Sequence, residues 1–185
     1  MQETNTRRPV SYGHKGKLTT LQLTTMALLL AFRIMLGYIP SLRLGEIAQI
    51  GVGFIGTALS SAIVGPWWGI VLSSLNDIIT ALLDGYNFFF GYTLSAALGG
   101  MIYGLFLWRK EHNWKNILIA VTLITIFVNL GLGSLWIRIM QGKAWAAFMP
   151  LRLSKNAVSL PINTLVLIII FKIPVIKRLI EKFQF

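Results

Sequence analysis

Residues 116–139 read NILIAVTLITIFVNLGLGSLWIRI, and no charged residue interrupts that run before Arg138. A helix crossing about 30 Å of hydrocarbon needs about 20 mostly apolar residues, so this stretch is long enough to span a bilayer. It is too long and too continuous for a barrel strand, which alternates in polarity over about ten residues. Five similar runs accompany it: Leu18–Tyr38, Ile47–Val64, Pro66–Leu83, Phe89–Trp108 and Leu151–Phe171. The breaks between runs carry turn formers or charge: Pro40, Gly65-Pro66, Asp84-Gly85, the segment Arg109 to Lys115, Gly142 and Pro150. Pro161 falls inside the sixth run and predicts a kink there, because proline removes a backbone donor and clashes with the preceding turn. The expected fold class is an all-α integral membrane protein with six transmembrane helices. Residues 1–185 form a single membrane domain, with a polar segment 1–17 before the helices and a tail 172–185 after them.

Composition agrees with a bilayer as solvent. The 185 residues are 55% hydrophobic and 12% charged, against about 25% charged in soluble domains, and mean hydropathy is +0.69. Lys and Arg outnumber Asp and Glu by 17 to 6, a balance that elsewhere signals nucleic-acid binding. Here the distribution of charge argues for topology. With both termini cytoplasmic, Arg7, Arg8, Lys15, Lys17, Arg109, Lys110, Lys115, Lys172, Lys177, Arg178 and Lys182 all fall on the inner side, as cytoplasmic loops require. Trp67, Trp68, Trp108 and Trp114 flank that face, and Trp136 and Trp145 the other, as interfacial anchors. No small-residue cleavage site follows the first apolar run, so that run reads as a retained span.

Several chemistries are excluded early. The chain has no cysteine, which removes disulfides, thiol nucleophiles and thiolate-bound metals. His14 and His112 lie in polar segments without partners at metal-ligand spacing and read as solvated loop residues. No metal site and no catalytic residue is expected. The phosphate-binding pattern Gly-x-x-x-x-Gly-Lys-Ser/Thr is absent, so ATP is not hydrolysed by that route.

The outer cations need a reason. Arg33, Arg43, Arg138, Lys143, Arg152 and Lys155 oppose the positive-inside bias, and four of them cluster around the loop between the fifth and sixth spans. Lys143 reads as snorkelling to headgroups, whereas Arg138, Arg152 and Lys155 read as a binding cluster for a carboxylate-bearing ligand, which a guanidinium fork holds bidentately. Arg33 and Asp77 lie inside spans. Either they pair, offsetting each other's desolvation, or Asn76 and Asp77 meet a heterocycle while Arg33 meets its charged end. Asn129, Asn156 and Asn163 are buried amides that either bridge helices or touch ligand. The third loop, Asp84 to Tyr92, holds five aromatics in seven residues with Gly85 and Gly91 beside them, and reads as a mobile flap or as an interfacial anchor; Tyr86, Phe90 and Tyr92 are its candidate stacking residues. Small residues four apart, Ala27 with Ala31, Ser95 with Gly99 and Gly100 with Gly104, permit close helix contact.

The stretch from Phe90-Gly91-Tyr92 through Ser95, Gly99-Gly100 and Gly104 to Phe106 resembles the fourth-helix signature of the folate-specific S component of energy-coupling factor (ECF) vitamin transporters. A second matching stretch starts at Asn129-Leu130-Gly131, passes Leu135-Trp136 and continues from Pro150-Leu151-Arg152 through Lys155-Asn156 to Leu160-Pro161. The resemblance implies a substrate-capture subunit of the bacterial plasma membrane, without ATPase activity of its own. It implies association with a membrane coupling (T) subunit through Ala27 and Ala31, with two cytoplasmic ATPase subunits supplying ATP hydrolysis. It also implies an outer site closed by the first, third and fifth loops, although the third loop here lacks the prolines often found in the family. For folate, the outer cations Arg138, Arg152 and Lys155, with Arg33, suit the glutamate tail. Asn76 and Asp77 suit the pterin edge, and Trp136, Tyr92 and Phe90 the ring faces; Asn156 and Tyr86 are further candidate substrate contacts. The rival readings are another vitamin cargo, pantothenate, riboflavin or thiamine, and a membrane scaffold. Thiamine is cationic and mismatched to an outer basic cluster.

Overall fold

A computed structural model describes residues 18–39, 42–44, 48–85, 88–142 and 145–185. The segment 1–17, Pro40, Tyr86, Asn87 and Lys143 lie outside the described residues.

Helix α1 (Thr20–Tyr38) opens on a capping box. Thr19 Oγ1 accepts from the Gln22 N–H, and the Gln22 side chain accepts from the Thr19 N–H, which satisfies donors that a helix start leaves unpaired. Only Met26 and Arg33 of α1 are buried, with Leu29 and Leu30 half-buried against the core; Leu21, Leu23, Leu28, Phe32 and Met35 are exposed, an arrangement stable where the solvent is lipid. A short antiparallel hairpin follows, β1 (Leu42–Leu44) with β2 (Ala48–Ile50), Arg43 opposite Gln49. It takes the place where the sequence reading began its second span at Ile47, and helix α2 (Gly53–Asp84) starts only at Gly53.

Two passes make up α2, folded at Gly65 (φ 83, ψ −179) and Pro66. The fold-back is fixed by Arg33, whose Nη1 donates to both Ser60 Oγ (3.3 Å) and Ser73 Oγ (3.0 Å). Those residues would lie about 20 Å apart on a straight helix, so the limbs 53–64 and 66–84 run antiparallel. Six helical passes therefore result, as the sequence reading expected. The first limb rises only about 18 Å at 1.5 Å per residue, short of the hydrocarbon thickness. Its residues from Ala58 to Gly65 are all buried, and irregular backbone at membrane depth is tolerated where protein covers it or a cavity is lined.

The remaining passes are α3 (Phe90–Leu107), a rod of α4 (Trp114–Leu123), a π segment (Ile124–Leu132) and α5 (Gly133–Gln141), and then α6 (Trp145–Lys172). Helix α6 runs through Pro150, where the sequence reading expected a break, and through Pro161, where it expected a kink. A short helix α7 (Pro174–Phe183) closes the chain's described course. The core runs through Leu59, Ile63, Leu72, Tyr103, Leu107, Ile117, Leu167 and Phe171. Gly100 and Gly104 touch the backbone of Gly69 and Pro66, where an added Cβ would meet atoms at 2.3 and 2.5 Å, so that small-residue pair serves packing.

The fold-back frees carbonyls at the end of the first limb, since a helix end leaves its last C=O groups unpaired and Pro66 has no N–H. Chain from beyond α7 supplies the donors. Gln184 Nε2 donates to Ala62 O (2.8 Å), the Phe185 N–H to Ile63 O (3.3 Å), and Trp108 Nε1 to Phe185 O (3.0 Å). His112 lies close by, half-buried and stacked on Phe171 at 4.5 Å, which corrects its reading as a solvated loop residue. Burial, with Lys177 adding to it, holds its imidazole below the ordinary 6.5 despite a backbone hydrogen bond at Leu107.

Two outcomes follow from this end of the molecule. Gly65→Ala forces a side chain into left-handed backbone with the Trp108 ring 3.0 Å from the new methyl, at a cost of roughly 2–3 kcal/mol; Gln184→Ala costs about 1 kcal/mol. Thermal unfolding in detergent reads both, and equal midpoints for the two variants contradict the assignment. A His pKa depressed by folding favours the neutral ring, so its stabilisation is present above about pH 6.5 and is lost as pH falls through that value towards the folded pKa. The midpoint accordingly drops on acidification, and His112→Phe, which keeps the stack, flattens that part of the profile.

Candidate functional site

Tyr38 Oη donates to Asp84 Oδ1 at 2.9 Å, so the C-terminal ends of α1 and α2 meet at the hairpin end of the bundle, opposite α7. Near that end lies a cavity of about 270 Å³ lined by Gly51, Phe54, Asn129, Arg152, Lys155, Asn156, Ser159 and Asn163. Gly51 lies just before the short α2 limb and Phe54 in its first turn, so the missing helical turns there leave room for the hollow. The other lining residues come from the π segment and α6.

Arg152 is the centre of the site. Its Nη2 donates to the Asn129 carbonyl. The π geometry helps: the Gly133 N–H reaches back five residues to Val128 O and bypasses Asn129 O, leaving that oxygen to Arg152. The guanidinium also crosses Gly133 so closely that a Cβ there would sit 2.6 Å from Nη2. Asn156, buried, donates from Nδ2 to Arg152 O at 2.8 Å, one helical turn back. Arg152 Nε and Asn163 Oδ1 are buried without hydrogen-bond partners among the described residues. A donor, an acceptor and the Lys155 ammonium thus converge on one hollow, a chemistry suited to a ligand carrying both anionic and amide-like groups.

An aromatic cluster stands beside it. Phe89 packs edge-on against Trp136 (5.5 Å) and Tyr92 (5.6 Å), and Trp136 Nε1 donates to Ser95 Oγ at 2.8 Å. Tyr92 lies within electrostatic range of Arg152. A second hollow of about 210 Å³ is lined by Asp77, Thr80, Ala81, Asp84, Phe88, Phe89 and Tyr92.

Several expected site residues fall elsewhere. Arg33 pairs neither with Asp77 nor with the cavity: its Nη1 and Nη2 donate to Ser60, Ser73 and Thr57 in the seam between α1 and α2. Asp77 accepts from Thr93 Oγ1 at 2.7 Å and lines only the smaller hollow. Asn76 lines neither, although its Oδ1 is buried and unpartnered among the described residues. Phe90 is 69% exposed, and Phe89 takes the packing role expected of it. Arg138 is exposed and is not among the lining residues of the Arg152 cavity, while Tyr86 lies outside the described residues. Phe54, Ser159 and the Asn129 carbonyl went unseen in the sequence; the amides Asn156 and Asn163, four and eleven residues from Arg152, were the available signal for the α6 face. Ala27 and Ala31 both lie on the exposed face of α1.

Comparison with known proteins now decides the class. A family model described as the ECF transporter, substrate-specific component, matches residues 21–171. The chain belongs to this family. Such S components are substrate-binding parts of transporters, and this one is, apart from its short hairpin, a helical, multi-pass membrane protein. Among its relatives, the folate transporter FolT of Clostridium novyi (strain NT) is 36% identical over 122 residues, 65% of this chain and 71% of the relative. The FolT of Leuconostoc mesenteroides subsp. mesenteroides is 29% identical over 155 residues, 80% of this chain and 82% of the relative. A crystal structure of FolT bound with folic acid aligns with a TM-score of 0.72 and 29% identity, covering 80% of this S component and 91% of that chain. An S component for biotin from an ECF-type ABC transporter, at 22% identity and a TM-score of 0.62, shares the fold.

The aromatic assignment is open to a direct check. Phe89→Ala removes two edge contacts and costs roughly 1–2 kcal/mol of thermal stability, whereas Phe90→Ala changes it by less than about 0.5 kcal/mol. The reverse order would return the stacking role to Phe90.

Proposed function

We propose that this S component captures folate at the hairpin end of the bundle, on the outer face of a bacterial plasma membrane, for import driven by partner subunits. The observation that carries the reading is the Arg152 cavity: a guanidinium, an ammonium, three amides and a hydroxyl converge beside an aromatic cluster, in a chain similar to proteins named for folate. Folate has a flat pterin, an aminobenzoyl ring and a glutamate tail with two carboxylates. Arg152 and Lys155 would hold the carboxylates, the charge-assisted pairing that is strongest when bidentate. Asn129, Asn156 and Asn163 offer donors and acceptors for the heteroatoms of the pterin edge. Trp136, Tyr92 and Phe89 supply planar faces. The cavity of about 270 Å³ is near the low end of ligand pockets, so the ligand would extend towards the aromatic cluster.

The charge pattern supports the orientation. Arg109, Lys110, Lys115, Lys172, Lys177, Arg178 and Lys182 gather at the α7 end, the side the positive-inside rule assigns to the cytoplasm. Energy would come from a coupling subunit in the membrane and two cytoplasmic ATPases, because this sequence lacks the glycine-rich phosphate loop. The exposed Ala27 and Ala31 face of α1 is available for the coupling subunit, and small residues four apart let a partner helix approach closely. No cofactor of its own is needed for capture.

Intrinsic tryptophan fluorescence, titrated with folate and with pteroate, which lacks the glutamate, tests the site. Arg152→Ala weakens folate by about 30-fold, the factor equivalent to about 2 kcal/mol for a charged hydrogen-bonded group, and changes pteroate far less. Gly133→Ala weakens folate in the same direction with every charge retained, since the new methyl occupies the place of Nη2. Unchanged folate binding in both variants would remove this cavity from the site, and no response to folate in the parent protein would remove folate.

A further inference from the structure

Helix α7 starts one residue beyond the end of a membrane pass: α6 ends at Lys172 and Pro174 opens α7. Its position is set by contacts at both of its ends. Ile180 is buried in the core, with Ile176 and Phe183 packed against it, and the Gln184 and Phe185 hydrogen bonds to Ala62 and Ile63 tie down the following chain. With its rotation fixed, the helix presents two further stripes. On one side Lys177, Glu181 and Gln184 line a polar groove with the segment Arg109 to Asn113. On the other side Val175 and Leu179, one turn apart, are 61% and 44% exposed, and the exposed Arg178 and Lys182 flank them.

An exposed aliphatic pair on a short helix at the edge of the hydrocarbon is costly in water and stable at the acyl boundary. Cations beside such a pair meet the headgroup layer, where each is worth about a factor of five at an anionic leaflet. We infer that α7 is an interfacial helix. Val175 and Leu179 sit at the acyl boundary, and Lys172, Arg178 and Lys182 hold the phosphates of anionic phospholipids. The occupant is lipid and not free phosphate, because the cations flank an apolar stripe and Glu181, the carboxylate of α7, lines the groove instead.

The chain has no cysteine, so a single Leu179→Cys or Lys177→Cys variant accepts one fluorescent label. The full chain is reconstituted in phosphatidylcholine vesicles with and without phosphatidylglycerol. Brominated phosphatidylcholine or brominated phosphatidylglycerol is the quencher from the lipid side, iodide is the quencher from water, and inorganic phosphate is the competitor. The label at 179 is quenched by brominated lipid, and that at 177 by iodide. Brominated phosphatidylglycerol is preferred over brominated phosphatidylcholine, and Arg178→Gln and Lys182→Gln each lower that preference about fivefold. Equal quenching by the two lipids, or loss of the preference with added phosphate, overturns the anionic-lipid assignment. Iodide quenching at 179 overturns the interfacial placement, and shielding of 179 from both quenchers places a second copy of the chain on the stripe. None of these readouts involves folate, so they stand or fall apart from the capture reading.

Discussion

Within hydrocarbon a backbone carbonyl finds no water, so every break in a helix must be answered by a donor from inside the protein. Two breaks organise this molecule, and each is answered differently. At Gly65-Pro66 the freed carbonyls of Ala62 and Ile63 accept from Gln184 and from the backbone of Phe185. In the π segment the Asn129 carbonyl accepts from Arg152. The first answer ties α7 and the following chain to the core. The second places a guanidinium in a hollow with one of its nitrogens still unpartnered among the described residues. Stability and ligand chemistry thus draw on the same constraint at opposite ends of the bundle.

Two buried arginines show how context assigns a role. Arg33 meets three hydroxyls of α2 across the seam with α1, and these hydrogen bonds offset part of the desolvation of its charge. Because α1 otherwise buries little beyond Met26, Arg33 is the principal polar tie between α1 and the rest of the bundle. Arg152 shares its donors unevenly: Nη2 is held by a backbone carbonyl, and Nε is buried without a partner among the described residues. The same side chain is a structural bolt in the first case and the proposed ligand group in the second, and the difference lies in how completely its hydrogen bonds are satisfied by protein.

Much of this architecture was legible in the sequence because hydrocarbon imposes simple rules. Run length gave the spans, Gly65-Pro66 gave the fold-back between two of them, and the cations at 152 and 155, with Asn156 beside them, pointed to the α6 face of the cavity. What stayed hidden depended on angles and on distant pairing. Phe89 is the extended residue just before α3 and Phe90 is its first helical residue, so the two side chains leave the backbone in different directions, and Phe89 is the one that meets Trp136. Asn76 and Asp77 carry the right chemistry, but the phase of the second α2 limb sends Asp77 to Thr93 and the smaller hollow. The π segment has no sequence signature beyond Gly131, and the contact of Gln184 with Ala62 joins residues too far apart in the chain for any local pattern to announce. The hairpin at 42–50 is short enough that its strands read as loop and as the start of a span.

The central claim is that the guanidinium of Arg152, braced on Asn129 and crossing Gly133, is the acid-binding group of a vitamin-capture site. Its most direct test is the Nε–H resonance of Arg152 in 15N-arginine-labelled protein, assigned by its loss in Arg152→Lys. On addition of folate that resonance is expected to shift and its exchange with water to slow, as the unpartnered donor gains a carboxylate. Saturating folate binding with the Arg152 resonance unmoved would contradict the account.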